Sequence, residues 1–234
     1  MMEKMKETLR AGLPALGLDL PEETVDRLCA FGRAVVKQNE VMNLTAITEP
    51  EAVAKLHLLD SLTVLAAAEL KGKSVIDVGC GAGFPGVPVA IACPDARVTL
   101  LDSLGKRMGW LETVLPELGI RARCVTARAE EAVKDYRETF DFAVSRAVAR
   151  LNILLELTAP YVRVGGAIIA LKGSAAREEL AEAKNAVNKL GLKVEDIRDF
   201  DFDGAAHSLI ILRKIAPTPA RYPRRYAKIK QAPL

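Results

Sequence analysis

The sequence predicts an α/β fold, a seven-stranded and mostly parallel sheet with an N-terminal helical cap. Three observations predict it. From Lys71 onward, short β-branched apolar runs alternate with helical segments, the pattern of strands joined by crossover helices. One such run, Ser74 to Val78, opens into Gly79-Cys80-Gly81-Ala82-Gly83-Phe84-Pro85-Gly86 and then an apolar helix, which is how a nucleotide-binding βαβ unit begins. The first 70 residues show helical periodicity and no strand pattern.

The elements follow in order. Residues 2–17 read as an amphipathic helix. Pro21-Glu22-Glu23 starts a second helix with proline and acids in its first turn, and Val25, Leu28, Cys29, Phe31 and Val35 give it an apolar face. Asn39 to Thr48 is a polar break, and a third helical segment runs from about Glu49 to Leu70. Residues 1–70 therefore form a cap expected to pack on the domain at 71–214, with a basic tail at 215–234. Strands are expected at 74–78, 97–102, 121–126, 140–145, 165–172, 193–199 and 207–213. Helices are expected at 86–93, 105–118, 150–161 and 175–190, with a short turn near 129–134. No helix separates the last two strands. Asp203-Gly204 reads as the turn of a hairpin, which makes the final strand antiparallel. Seven strands closing in a hairpin is the layout of class I, Rossmann-like methyltransferases, unlike the six parallel strands of dehydrogenases.

Composition sets the outer bounds. With 234 residues, half of them apolar, the chain suffices for one α/β domain and an accessory segment. No apolar run reaches the roughly 18 residues of a membrane span. The charged N-terminus has no signal-peptide core, so a cytoplasmic protein is expected. Cys29, Cys80, Cys93 and Cys124 form no C-x-x-C pair, so neither a metal site nor a disulfide framework is indicated. Of the 33 basic residues, seven lie between Arg213 and Leu234 with no acid among them; the remaining 26 face 30 acids. The excess positive charge sits in the tail and suits a polyanionic partner.

Gly81 to Gly86 fits the G-x-G-x-x-G dinucleotide pattern, which is weak alone. Asp77 changes the reading. A carboxylate at the strand tip repels a pyrophosphate, whereas it suits the sulfonium and ammonium of S-adenosylmethionine. Asp102 ends the next strand at the spacing of a ribose-binding acid, with Ser103 beside it, and serves either cofactor. The competing reading is a glycine turn without a ligand, in which Asp77 is a cap.

Ala129-Glu130, after the third strand, lies where class I methyltransferases hold adenine; it is also the first turn of a helix. The fourth strand exits through Ser145-Arg146-Ala147-Val148 in place of the Asn-Pro-Pro-aromatic tetrad of amino-group methylators. Arg146 suits an anion or the O6 and N7 acceptors of guanine, or else bridges two loops structurally. Lys106 and Arg107 open a helix, where cations oppose the dipole, so they read as RNA contacts or as solvated charge. His57 and Asp60 share a helix face and lack a nucleophile, which favours a helix-surface or cap interaction. His207 reads as isolated and structural. Tyr222 and Tyr226 interleave with Arg221, Arg224 and Arg225, a pattern that suits base stacking with phosphate contact, or a disordered tail.

The motifs Asn43-Leu44-Thr45-Ala46-Ile47, His57-Leu58-Leu59-Asp60-Ser61-Leu62, Asp77 to Gly86, Leu101 to Arg107, Ser145-Arg146-Ala147 and Tyr222-Pro223-Arg224-Arg225 together carry a family resemblance. Nearly end to end, the chain resembles the bacterial small-subunit ribosomal RNA guanine-N7 methyltransferases, also called glucose-inhibited division protein B. The resemblance implies S-adenosylmethionine as cofactor, held by Gly79, Phe84, Ala129, Glu130 and Arg146, with Asp102 and Ser103 near the ribose. Phe84 stands at a position more often Leu. Asp77 and Gly81 belong to the same expected site. The implied substrate is small-subunit ribosomal RNA, free or in the assembling small ribosomal subunit, with a monomeric enzyme and no membrane. Guanine N7 already exposes a lone pair, so positioning and electrostatics are expected to carry the reaction, with Arg146 and Lys172 at the guanine or its phosphates. A small-molecule methyltransferase and an NAD-dependent oxidoreductase are the competing functions.

Overall fold

Apolar residues at helical spacing fold the N-terminal part into helices with one shared buried face. The computed structural model describes residues 2–202 and 204–234. It begins with α1 (Met2–Gly12), a 3-10 turn (Leu13–Leu16) and α2 (Glu22–Met42). A near-continuous helix follows, made of α3 (Pro50–Val53), a π-helical segment (Ala54–Leu59) and α4 (Asp60–Ala67). Val25, Leu28, Cys29, Phe31 and Val35 of α2 are all buried, as their spacing requires. The helix outlasts the expected break at Asn39. It ends where Asn43 turns left-handed (φ 50°), and the Asn39 side chain accepts the Thr45 N–H at 2.8 Å to shape the loop beyond.

The alternating part runs β1 (Ser74–Val78), α5 (Gly86–Ala92), β2 (Arg97–Asp102), α6 (Gly105–Glu117), β3 (Arg123–Thr126), α7 (Ala129–Tyr136) and β4 (Phe140–Arg146). It continues through α8 (Leu151–Thr158), β5 (Val162–Lys172), α9 (Ala176–Glu182), α10 (Lys184–Lys189), β6 (Leu192–Phe202), β7 (Ala205–Lys214) and α11 (Tyr226–Gln231). The sheet order is β3-β2-β1-β4-β5-β7-β6. The first five strands in sequence pair in parallel, and β7 is antiparallel to both β5 and β6. Asp203 of the expected Asp203-Gly204 turn lies outside the described residues.

Other element ends shift by one to a few residues, and three differences go further. β5 starts at Val162, not at residue 165. Gly165 has φ +86°, and a Cβ on Gly166 would lie 2.4 Å from the Asp141 carbonyl oxygen. The glycine pair that reads as a strand opening is a bulge inside the strand, where its register with β4 shifts. The turn expected at 129–134 is the full helix α7. The helix expected at 175–190 is split into α9 and α10.

Side-chain alternation divides the core between the two faces of the sheet. Val75 and Leu100 face the cap side and pack with Phe31, Leu58, Leu62 and Val87; Ile76 and Leu101 face the other side, with Leu154, Tyr161, Ile168 and Ile210. The cap helices thus share one apolar cluster with the sheet. Strand order reverses direction between β1 and β4, which opens a crevice at their carboxyl ends. Among the described residues no helix is long and apolar enough to cross a membrane.

Candidate active site

The glycine loop forms the floor of this crevice. It is fastened to β2 by the Gly79 and Cys80 N–H groups, both donated to the Leu101 carbonyl at 2.8 and 3.1 Å. Asp102 accepts the Gly81 N–H on one carboxylate oxygen and the Leu104 N–H on the other, each at 2.9 Å. Gly79 and Gly81 are left-handed, with φ +75° and +56°. A Cβ on Gly79 would sit 2.4 Å from Val148, whereas Gly81 meets nothing nearer than Arg107 at 3.9 Å. The open face of Gly81 therefore lines the crevice.

The crevice has two lobes that share Gly79, Arg107, Ala147 and Val148. The larger, of about 810 Å³, is lined by Thr45, His57, Asp60, Phe84, Arg146 and Lys172 among others. The smaller, of about 360 Å³, is lined by Asp102, Ser103, Ala129, Glu130 and Tyr226 among others. The expected cofactor residues Gly79, Gly81, Phe84, Asp102, Ser103, Ala129, Glu130 and Arg146 all line one lobe or the other.

Asp77 is placed differently. Its side chain is fully buried and lines neither lobe. One carboxylate oxygen accepts the Gly86 N–H at 2.7 Å, and the other has no partner. Burial pushes its pKa up to about 7. The expectation of an anion displayed to a cationic cofactor is corrected: Asp77 closes the glycine loop onto α5 from behind. The case against a pyrophosphate takes a new form, because the helix-end amide where one would lodge is already taken by this side chain.

Arg146 organises the larger lobe. Its Nη1 donates to the Leu56 carbonyl and to Asp60 Oδ2, both at 2.8 Å; its Nη2 donates to His57 Nδ1 at 3.2 Å. The guanidinium lies 5.1 Å from the centre of the Phe84 ring, on which the His57 ring stacks at 4.7 Å. His57 Nδ1 also lies 3.1 Å from the Leu56 carbonyl, and Nε2 lies 2.8 Å from Thr45 Oγ1, so both ring nitrogens are engaged. Burial, with the Arg146 charge second, drives the His57 pKa down to about 4, and the ring is neutral.

The expected helix-surface role of His57 and Asp60 is corrected by their burial, at 8% and 2% exposure. They lie in and beside the π-helical segment, a widened turn that recurs at functional sites. His207 is not isolated either. Its Nδ1 is 2.7 Å from Asp60 Oδ1, so Asp60 joins α4, β4 and β7.

The other expected charges separate into two groups. Lys172 Nζ donates to the Ala149 carbonyl at 2.6 Å and pairs with Glu179 at 2.7 Å, almost wholly buried. Arg224 grips the buried Glu156 with Nε at 2.8 Å, Nη2 at 2.6 Å and its backbone N–H at 2.8 Å. Lys106 and Arg225 are exposed, and Arg107 is half-buried between the lobes. Arg221 lies over the Tyr222 ring at 5.1 Å. The tail is folded, with Tyr222 and Ile229 buried. Sequence reading missed Glu156 and the place of Tyr226. A lone acid inside the apolar run Leu151 to Thr158 was the available signal for Glu156.

The family model described as GidB, rRNA small subunit methyltransferase G, matches residues 24–206. The chain is 42% identical over 224 residues to the ribosomal RNA small subunit methyltransferase G of Desulfitobacterium hafniense, covering 94% of this chain and 93% of that one. The protein of the same name in Clostridium perfringens strain 13 is 41% identical, over 97% of this chain and 98% of its own. Among solved structures, M. jannaschii TYW2 in complex with AdoMet aligns with a TM-score of 0.55 at 15% identity, over 68% of this chain and 76% of that one. That last likeness is one of fold.

Proposed function

The chain belongs to the GidB family of rRNA small subunit methyltransferases, and on that premise we propose that it moves a methyl group from S-adenosylmethionine to N7 of a guanine in small-subunit ribosomal RNA. The cofactor supplies an electrophilic methyl on a sulfonium. Gly79, Gly81, Phe84, Ala129, Glu130 and Arg146 hold it across the two lobes, with Asp102 and Ser103 at the ribose. The open face of Gly81 leaves room for either kind of nucleotide ligand, and the occupied Gly86 N–H favours a phosphate-free nucleoside over a dinucleotide.

The observation that carries the chemistry is the saturation of the Arg146 network. Both His57 ring nitrogens and both Asp60 oxygens are engaged, so neither residue is poised to take a proton. A guanine N7 needs none taken, because its lone pair is already free. The work left to the protein is to fix geometry and exclude water. Arg146 is pinned on three sides and lines the lobe, where its guanidinium suits the guanine acceptor edge. The enzyme works as a cytoplasmic monomer on ribosomal RNA, with Lys106, Arg107, Arg221 and Arg225 toward the polyanion.

Mass mapping of small-subunit ribosomal RNA from cells with and without the chain tests the reading. One 7-methylguanosine should disappear; an unchanged nucleoside inventory overturns it. With purified enzyme, Arg146→Ala should lower kcat on the order of 100-fold, and Arg146→Lys should not restore it, since an ammonium cannot reproduce the fork.

A further inference from the structure

The C-terminal segment is strapped to the domain rather than trailing from it. The buried Lys214 Nζ donates to the Ala159 carbonyl at 2.8 Å and pairs with Glu138 at 3.0 Å. Arg137 Nη2 donates to the Tyr222 carbonyl at 2.6 Å, Arg224 is clamped by Glu156, and Ile229 is fully buried. These anchors fix the start of α11, and its first residue, Tyr226, forms part of the smaller lobe together with Asp102, Ser103, Ala129 and Glu130. One face of the Tyr226 ring is covered by the Arg128 guanidinium, 5.1 Å from its centre, and Arg128 Nε donates to Glu130 at 2.7 Å. The strap thus reaches the lobe directly through an aromatic ring and indirectly through the side chain that orients Glu130.

We propose that Tyr226 is the aromatic wall of the adenosine end of the cofactor site, and that the C-terminal strap sets cofactor affinity. The inference rests on the reading that S-adenosylmethionine occupies the crevice. Chemistry favours it: a purine needs apolar and aromatic contact, and an aromatic ring supplies both to a base. A basic tail serving RNA alone has no reason to bury Tyr222 and Ile229 or to aim a ring into this lobe.

Titration calorimetry on the full chain tests it, with S-adenosylhomocysteine and adenosine as separate probes. Tyr226→Ala should weaken both by a similar factor, on the order of 10-fold, while Tyr226→Phe keeps wild-type affinity because the ring carries the contact. In steady state, the KM for the methyl donor should rise with kcat and the KM for RNA unchanged. Should Tyr226→Ala melt, Tyr226→Leu keeps apolar bulk without the ring and should show the same loss in a folded protein. Wild-type affinity for both probes in these variants overturns the proposal, as does a loss confined to RNA. A wild-type chain that binds neither probe overturns the cofactor reading, and this one with it.

Discussion

Two places in this molecule use the same device, an arginine clamped on a buried carboxylate, for different ends. At the junction of cap and sheet, Asp60 (2% exposed) holds Arg146 and also meets His207, with His57 on the far side of the guanidinium. Behind α8, Glu156 (0% exposed) holds Arg224 by side chain and backbone, with no histidine in the set. The first clamp fixes a cation that lines the larger lobe. The second ties down the chain end that walls the smaller lobe. A buried ion pair is weak evidence for net stability, since desolvation offsets its attraction. What both pairs do supply is position, and in each case the thing positioned faces the crevice.

Breaking the two clamps gives the largest expected effects. Asp60→Ala and Arg224→Ala each strand a charge in a buried setting, and each should cost about 3–5 kcal/mol in denaturant unfolding. Arg150→Ala, which removes a half-exposed partner of Glu182, should cost less than about 1 kcal/mol. Asp60→Ala should also lower kcat, because Arg146 loses its main tether. The contrast between the clamps fails if Arg224→Ala lowers kcat as much.

The histidines sharpen the contrast by pH. His57 is held neutral with a pKa of about 4 against 6.5 in the unfolded chain. Its contribution is present above pH 6.5 and lost as pH falls toward 4, because the unfolded chain takes up the proton first. The stability gap between wild type and His57→Gln should therefore widen from pH 4 to 6.5, by up to about 3 kcal/mol. Asp77 works in the opposite direction. Its raised pKa makes its contribution complete below pH 3.8 and lost as pH rises through about 7, so wild type should lose ground to Asp77→Asn over that range. Unfolding at several pH values reads both slopes; a flat difference for His57→Gln removes the neutral histidine from the account.

The smallest expected effect separates the paired tail cations from the rest. Arg225, Lys228 and Lys230 are exposed, and among the described residues no ion pair engages them. Lys228→Ala with Lys230→Ala should reduce the salt dependence of RNA affinity by about one to two units of slope. Neither change touches Glu156, so the melting temperature should hold. An unchanged slope means that these lysines meet no phosphate.

Much of this was readable from residue order. The strand at 74–78, the glycine turn and the acid at Asp102 depend on neighbours within about 30 residues, and local pattern carries that information. The strand count was readable for the same reason, although the Gly165-Gly166 bulge was not, because a glycine pair marks a break or a bulge equally well. The roles of Asp77 and the tail were not readable. Periodicity places a carboxylate at a strand end without saying which way its oxygens face.

The sequence alone determined the order of elements, the sheet with its crevice and most of the residues that line it, since those follow from propensity and short spacing. Only the tertiary structure decided which charges are spent within the protein and which face outward. Asp60 finds Arg146 86 residues away and His207 147 residues away, and Glu156 finds Arg224 across 68. Nothing in a linear pattern couples positions so far apart; packing the cap and the strap onto the sheet does, because a buried carboxylate must find a donor before the fold can close over it.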